Sequence, residues 1–136
     1  DAVLAKRGAR PKAMLANLGT AADYTARSTF AKNYLEAGGI ETVAVEASPE
    51  SVAEAFAASG AGLAVICSSD TLYDNQAEPV ARALRDAGAL SVVLAGRPGA
   101  REERFRAAGI ERFVYMGDDT LATLRGLVAL LGGVET

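Results

Sequence analysis

Five short, nearly continuous apolar runs constrain this chain more than any other feature: Ala13-Met14-Leu15-Ala16-Asn17-Leu18, Thr42-Val43-Ala44-Val45, Leu63-Ala64-Val65-Ile66-Cys67, Ser91-Val92-Val93-Leu94-Ala95 and Phe113-Val114-Tyr115-Met116. A strand with one wet face alternates apolar and polar residues. A run that is apolar throughout is buried on both faces, as in a parallel sheet covered by helices on each side. Helical spacing fills the gaps between the runs. Tyr73, Ala77, Val80, Ala81, Leu84 and Ala87 fall three or four apart on one face, and Leu121, Leu124, Val128 and Leu131 repeat the pattern near the end. Gly38-Gly39, Gly60, Gly88, Gly109 and Gly132-Gly133 close the helical stretches, as left-handed caps do.

Strand and helix therefore alternate five times. Right-handed crossovers then make an α/β fold of three layers, a flavodoxin-like (Rossmann-like), doubly wound, five-stranded parallel sheet of order 2-1-3-4-5. With 136 residues, 50% of them hydrophobic, one domain accounts for residues 13–136. Residues 1–12 hold Lys6, Arg7, Arg10 and Lys12 without an apolar face, and read as a solvated linker from a preceding domain rather than a basic arm. Ser48-Pro49-Glu50 is expected to start the second helix, and Asp118 or Asp119 the fifth. Gly19 to Thr25 is read as a polar loop after the first strand, with a helix from Arg27 to Ala37.

Composition narrows the function classes. A net charge of −3 leaves no footprint for nucleic acid or an anionic membrane, and no apolar run reaches the roughly 18 residues of a span. One cysteine cannot form an internal disulfide, so a reducing, cytoplasmic setting is expected. A chain starting at Asp1 rather than at methionine reads as a fragment or a processed product. Histidine is absent, which removes the commonest acid/base group near neutral pH and the commonest metal ligand.

The carboxyl ends of the strands are where open sheets bind ligands. Gly19 stands alone where a dinucleotide fingerprint needs three glycines, and no P-loop lysine follows. Thr20, Thr25 and Ser28, together with Ser68, could hold a small anion, but helix capping is the simpler use of such residues. A phosphoacceptor receiver needs acidic residues after the first strand, where Asn17-Leu18-Gly19 stands, and a lysine after the fifth, where Met116-Gly117 stands. Cys67 lacks a basic neighbour in the sequence to activate it and reads as buried and inert. Asp70, Asp74, Asp118 and Asp119 would need converging loops to hold a metal. No catalytic constellation and no metal site are expected.

The stretches Ala31-Lys32-Asn33-Tyr34-Leu35-Glu36-Ala37-Gly38-Gly39-Ile40-Glu41 and Ile66-Cys67-Ser68-Ser69-Asp70 carry a family resemblance over residues 13 to about 131. The chain resembles the cobalamin-binding domain at the carboxyl end of the methylmalonyl-CoA mutases, and more closely its version in the small, non-catalytic subunit of the heterodimeric bacterial enzyme. In catalytic relatives D-x-H-x-x-G follows the first strand, with S-x-L and G-G later. The histidine replaces the lower base of cobalamin on cobalt, the aspartate orients it, and the glycine admits the nucleotide tail.

Counted from Gly19, the matching positions here are Ala21, Asp23 and Ala26; S-x-L becomes Ser68-Ser69-Asp70 and G-G becomes Ala95-Gly96. The resemblance implies a degenerate domain that binds no cobalamin and serves packing and assembly. A catalytic large subunit would hold cobalamin and interconvert methylmalonyl-CoA and succinyl-CoA. The competing reading is a working cobalamin module that leaves the cofactor's own base on cobalt or uses Asp23.

Overall fold

The computed structural model describes residues 12–115, 117 and 120–130. Five parallel strands, β1 (Lys12–Leu18), β2 (Glu41–Ala47), β3 (Leu63–Cys67), β4 (Ser91–Ala95) and β5 (Ile110–Val114), form one sheet of order β2-β1-β3-β4-β5. Fold class and strand order are those expected from the apolar runs. The linker expected at 1–12 lies outside the described residues except for Lys12, which already belongs to β1.

Helices α1 (Ala21–Ala37), α2 (Val52–Ser59), α4 (Glu102–Ala108) and α5 (Thr120–Leu130) follow β1, β2, β4 and β5, a 3-10 turn at Gly99–Arg101 leading into α4. After β3 three pieces run on as α3: Asp70–Leu72, a π segment at Tyr73–Ala77, and Glu78–Asp86.

Alternation along each strand builds two cores. Met14, Ala16, Leu18, Ala64, Ile66, Val92 and Leu94 face Phe56, Val80, Leu84 and Phe105 of α2, α3 and α4. Leu15, Val65, Cys67, Val93 and Val114 face Ala31, Tyr34, Leu35 and Leu127 of α1 and α5. β3 and β4 are buried throughout, as their sequence requires. The edge strand β2 is not, because only β1 pairs with it and its side chains stay half-exposed.

Two helix starts differ from expectation. The second helix begins at Val52 rather than at Pro49, because Ser48 and Ser51 close a turn on each other: the Ser48 N–H donates to Ser51 Oγ at 3.0 Å and the Ser51 N–H to the Ser48 carbonyl at 3.1 Å. The first begins at Ala21 rather than at Arg27. Of the terminal face, Leu121 is exposed, while Leu131, the capping candidates Asp118 and Asp119, and Gly132-Gly133 fall outside the described residues.

Asn17 interrupts the apolar pattern of β1 at 4% exposure, and its Oδ1 has no hydrogen-bond partner. A buried orphan acceptor costs its desolvation, so Asn17→Leu is expected to raise stability by about 1 kcal/mol, read as a higher urea midpoint at unchanged slope.

Candidate functional site

The crevice above the carboxyl ends of β1, β3 and β4 is built from the loops leaving them. After β1, Gly19 turns the chain with φ +83 and Thr20 becomes the N-cap of α1. Asp23, in the first turn, accepts from the Thr20 N–H at 2.9 Å and from its hydroxyl at 3.0 Å. A carboxylate at this place satisfies an orphan donor and lies at the positive end of the helix. The stretch read as a loop is therefore the first turns of α1: Ala21 and Ala26 are helical and exposed, and Asp23 is a capping residue. Thr20 and Thr25 do not converge with Ser68 on an anion, because Thr20 caps α1 and Ser68 is sealed.

Ser68 is fully buried, and its hydroxyl donates to the Leu18 carbonyl at 2.7 Å, tying the end of β1 to the loop after β3. Ser69 caps α3, its Oγ accepting from the Leu72 N–H at 3.3 Å, which places Asp70 in the first turn. Leu72 packs so closely on Gly19 that a Cβ there would collide with it. The mouth between the β1 and β3 loops is thus filled.

Two residues overlooked in the sequence organise the rest. Arg27, on the second turn of α1, donates from Nη1 to the Ser68 carbonyl at 2.9 Å and pairs with Asp70 at 2.9 Å. Its guanidinium lies 5.2 Å from the Tyr73 ring centroid and crosses Gly96, where a Cβ would sit 3.1 Å from Arg27 Cζ. Gly96 holds φ +136, so glycine is needed there for backbone and space alike.

Tyr73 is the second. The π segment turns it inward, where its hydroxyl accepts from the Ser68 N–H at 3.0 Å and donates to the Ala95 carbonyl at 2.6 Å, the Ile66 carbonyl also lying 3.1 Å away. A tyrosine at helical spacing looks like ordinary core, and nothing local in the sequence marks a π segment.

Ala95 closes β4 with no exposed surface and Gly96 follows it. The structure thus brings Ser68, Asp70, Ala95 and Gly96 together around Arg27, and sets Ala21 and Ala26 apart from them on the exposed part of α1.

Cys67 is buried against the second core with its Sγ 3.7 Å from the Val65 carbonyl. Burial pushes the thiol from 9.0 up to about 12, the Arg27 charge opposing it weakly. The folded state then holds this proton more tightly than the unfolded chain. Stability from this group is intact below pH about 9 and falls as pH rises toward 12, by about 1.4 kcal/mol per pH unit. Burial likewise raises Tyr73 above 10.0, adding to the loss at higher pH. Cys67→Ala is expected to flatten the decline in urea midpoint between about pH 9 and about pH 10.5.

Asp70 and Asp74 do not share a metal. Asp70 pairs with Arg27, while Asp74 is bound by Arg101 and by Arg104 at 3.3 Å, which holds its carboxyl below the usual value. No group of three His, Cys, Asp or Glu side chains could hold a metal ion among the described residues, and none of the described helices is long and apolar enough to cross a membrane.

No protein-family model matches the chain. It is 51% identical over 134 residues to the methylmalonyl-CoA mutase small subunit of Streptomyces virginiae, a match covering 97% of this chain and 21% of that protein. It is 38% identical over 128 residues to that of Propionibacterium freudenreichii subsp. shermanii, covering 90% of this chain and 20% of that protein. A probable methylmalonyl-CoA mutase small subunit of Mycobacterium tuberculosis is 41% identical over 100 residues. The chain spans about a fifth of the length of these first two relatives.

Among solved structures, the receiver domain of a sensor histidine kinase from Pseudomonas aeruginosa superposes with TM-score 0.64 at 14% identity, over 91% of this chain and 99% of that one. A Francisella response regulator receiver domain gives TM-score 0.62 at 15% identity, over 91% and 98%. These likenesses concern the fold alone.

Proposed function

We propose that this chain, which belongs to the methylmalonyl-CoA mutase small-subunit family and corresponds to one segment of it, has a structural, assembly role and no cobalamin of its own. The single observation behind this reading is the closed crevice: Leu72 on Gly19, the Ser68 to Leu18 bond, and Arg27 laid across Ser68, Asp70 and Gly96. The residues do not fit the cofactor. The chain has no imidazole to offer cobalt, and the carboxylate at the corresponding position is engaged in capping α1. A nucleotide tail would have to displace a guanidinium from an ion pair and an aromatic face at once.

In this reading a catalytic large subunit is the partner, holding cobalamin and substrate and interconverting methylmalonyl-CoA and succinyl-CoA, in the cytoplasm. The chain itself supplies no catalytic residue, and no step of the reaction passes through it. Its contribution is the sheet itself, with Arg27 lying across the ligand edge.

A titration tests the reading. Purified chain mixed with adenosylcobalamin or hydroxocobalamin is expected to leave the visible spectrum of the free cofactor unchanged and to elute without it from a sizing column. Stoichiometric co-elution at micromolar concentration would establish the competing reading, a working cobalamin module. The combined variant Ala21→Asp, Asp23→His, Ala26→Gly and Arg27→Ala is expected to gain binding, because it restores the ligand and empties the crevice together. The same variant with Arg27 retained is expected to stay inactive.

A further inference from the structure

Helix α3 joins two parts that do different things. Its carboxyl part, Glu78–Asp86, sets Val80, Ala81 and Leu84 in the first core with no exposed surface. Its amino end carries the groups that fill the crevice mouth: Leu72 against Gly19, Asp70 paired with Arg27 at 2.9 Å, and the Tyr73 ring under the same guanidinium. From Ser69 to Leu72 no residue is buried. The π segment Tyr73–Ala77 separates the two parts. A π turn holds one residue more than an α turn, so the parts are out of step by about 100°.

The π segment is pinned from both sides. Inward, the Tyr73 hydroxyl accepts from the Ser68 N–H at 3.0 Å and donates to the Ala95 carbonyl at 2.6 Å. Outward, Asp74 accepts from Arg101 Nη2 at 3.0 Å and from Arg104 at 3.3 Å, and Arg104 also pairs with Glu78 at 3.1 Å. Ion pairs between partly exposed side chains contribute little each, so the outer pins are the weaker ones.

We infer that the turn from Ser69 to Tyr73 is a gate over the crevice, hinged at the π segment and latched by α4 and the turn before it through Asp74. Moving the extra residue along α3 rotates Asp70, Leu72 and Tyr73 together, while Glu78–Asp86 keeps its place in the core. That one rotation lifts Leu72 off Gly19 and removes both the carboxylate and the ring that hold Arg27. It also leaves the Ser68 N–H and the Ala95 carbonyl facing the crevice as a free donor and acceptor. The inference stands on these contacts and does not depend on whether cobalamin binds.

Native-state hydrogen exchange of the 136-residue chain tests it. The amides of Ser68, Leu72 and Tyr73 are held in the closed turn by the Tyr73 hydroxyl, the Ser69 hydroxyl and the Ser69 carbonyl. They are expected to exchange as a set, with protection lower than that of the β3 and β4 amides by about tenfold or more and nearly unchanged in low urea. Asp74→Asn is expected to speed the set about fivefold and to leave β3 and β4 within about twofold. Lys32→Gln, which breaks a comparable exposed pair with Glu36 on α1, is expected to leave the set unchanged.

Exchange of the three amides only with the strands, or each at its own unrelated rate, would overturn the inference. So would an Asp74→Asn variant that leaves the set unchanged or speeds the strands equally, or a Lys32→Gln variant that speeds the set as much. Deleting the exposed Asn75 returns α3 to one register and is expected to strip protection from Ser68 while the strands keep theirs. Retained protection at Ser68 overturns the gate; should the deletion variant fail to fold, the Asp74→Asn arm decides.

Discussion

Tyr73→Phe is expected to lower the free energy of unfolding by about 2–3 kcal/mol, although it removes a single oxygen atom. That oxygen takes the Ser68 N–H and gives its proton to the Ala95 carbonyl, so it joins the ends of β3 and β4 just where the sheet stops. Tyr73 is 2% exposed, and no solvent reaches the partners that the phenylalanine would leave behind. A donor and an acceptor would be stranded together. Urea denaturation followed by circular dichroism measures the loss. A change under about 0.5 kcal/mol would mean that Ser68 and Ala95 find other partners. The variant should also loosen Arg27, whose guanidinium rests on the same ring.

Gly19→Ala is expected to cost about 2–3 kcal/mol, from two sources. The backbone there has φ +83, which an alanine adopts only at a penalty of about 1–2 kcal/mol. The added methyl would also lie 2.6 Å from Asp23 Oδ2 and against Leu72, so the carboxylate must leave the Thr20 N–H. Losing that cap costs about 1 kcal/mol more. Hydrogen exchange separates the two: the amides of the first turn of α1 should exchange faster than global unfolding explains. Protection equal to the parent's would show that Asp23 keeps its place and that backbone strain is the whole effect.

Both variants act at the edge of the sheet that carries the candidate site, and both show why reading that edge from sequence was partial. Buried strands β3 and β4 were legible to the residue, since a run apolar on both faces has one place in a covered sheet. The start of α1 was placed six residues late, because Ala21-Ala22-Asp23-Tyr24-Thr25 has no apolar face and looks like loop. What makes it helix is the reciprocal engagement of Thr20 and Asp23, three residues apart. That spacing is itself present in the sequence.

The second helix was placed three residues early for the opposite reason. Ser48-Pro49 has the composition of a helix start, yet the Ser48 and Ser51 hydroxyls spend themselves on a turn. Side chains that cap helices also close turns, and the choice depends on where β2 delivers the chain.

By itself the sequence determined the alternation of elements, the two-sided burial of the central strands and the strand order, because each follows from local periodicity and from the handedness of crossovers. It also carried the kinship to mutase small subunits and the missing histidine. Only the tertiary structure decided what lies across the ligand edge. Arg27 meets Ser68 across 41 residues of chain, Ser68 meets Leu18 across 50, and Tyr73 meets Ala95 across 22. Contacts that join separate loops leave no periodic trace in any one of them, so an arginine that looks like solvated helix surface lies across the crevice once the sheet has brought those loops together.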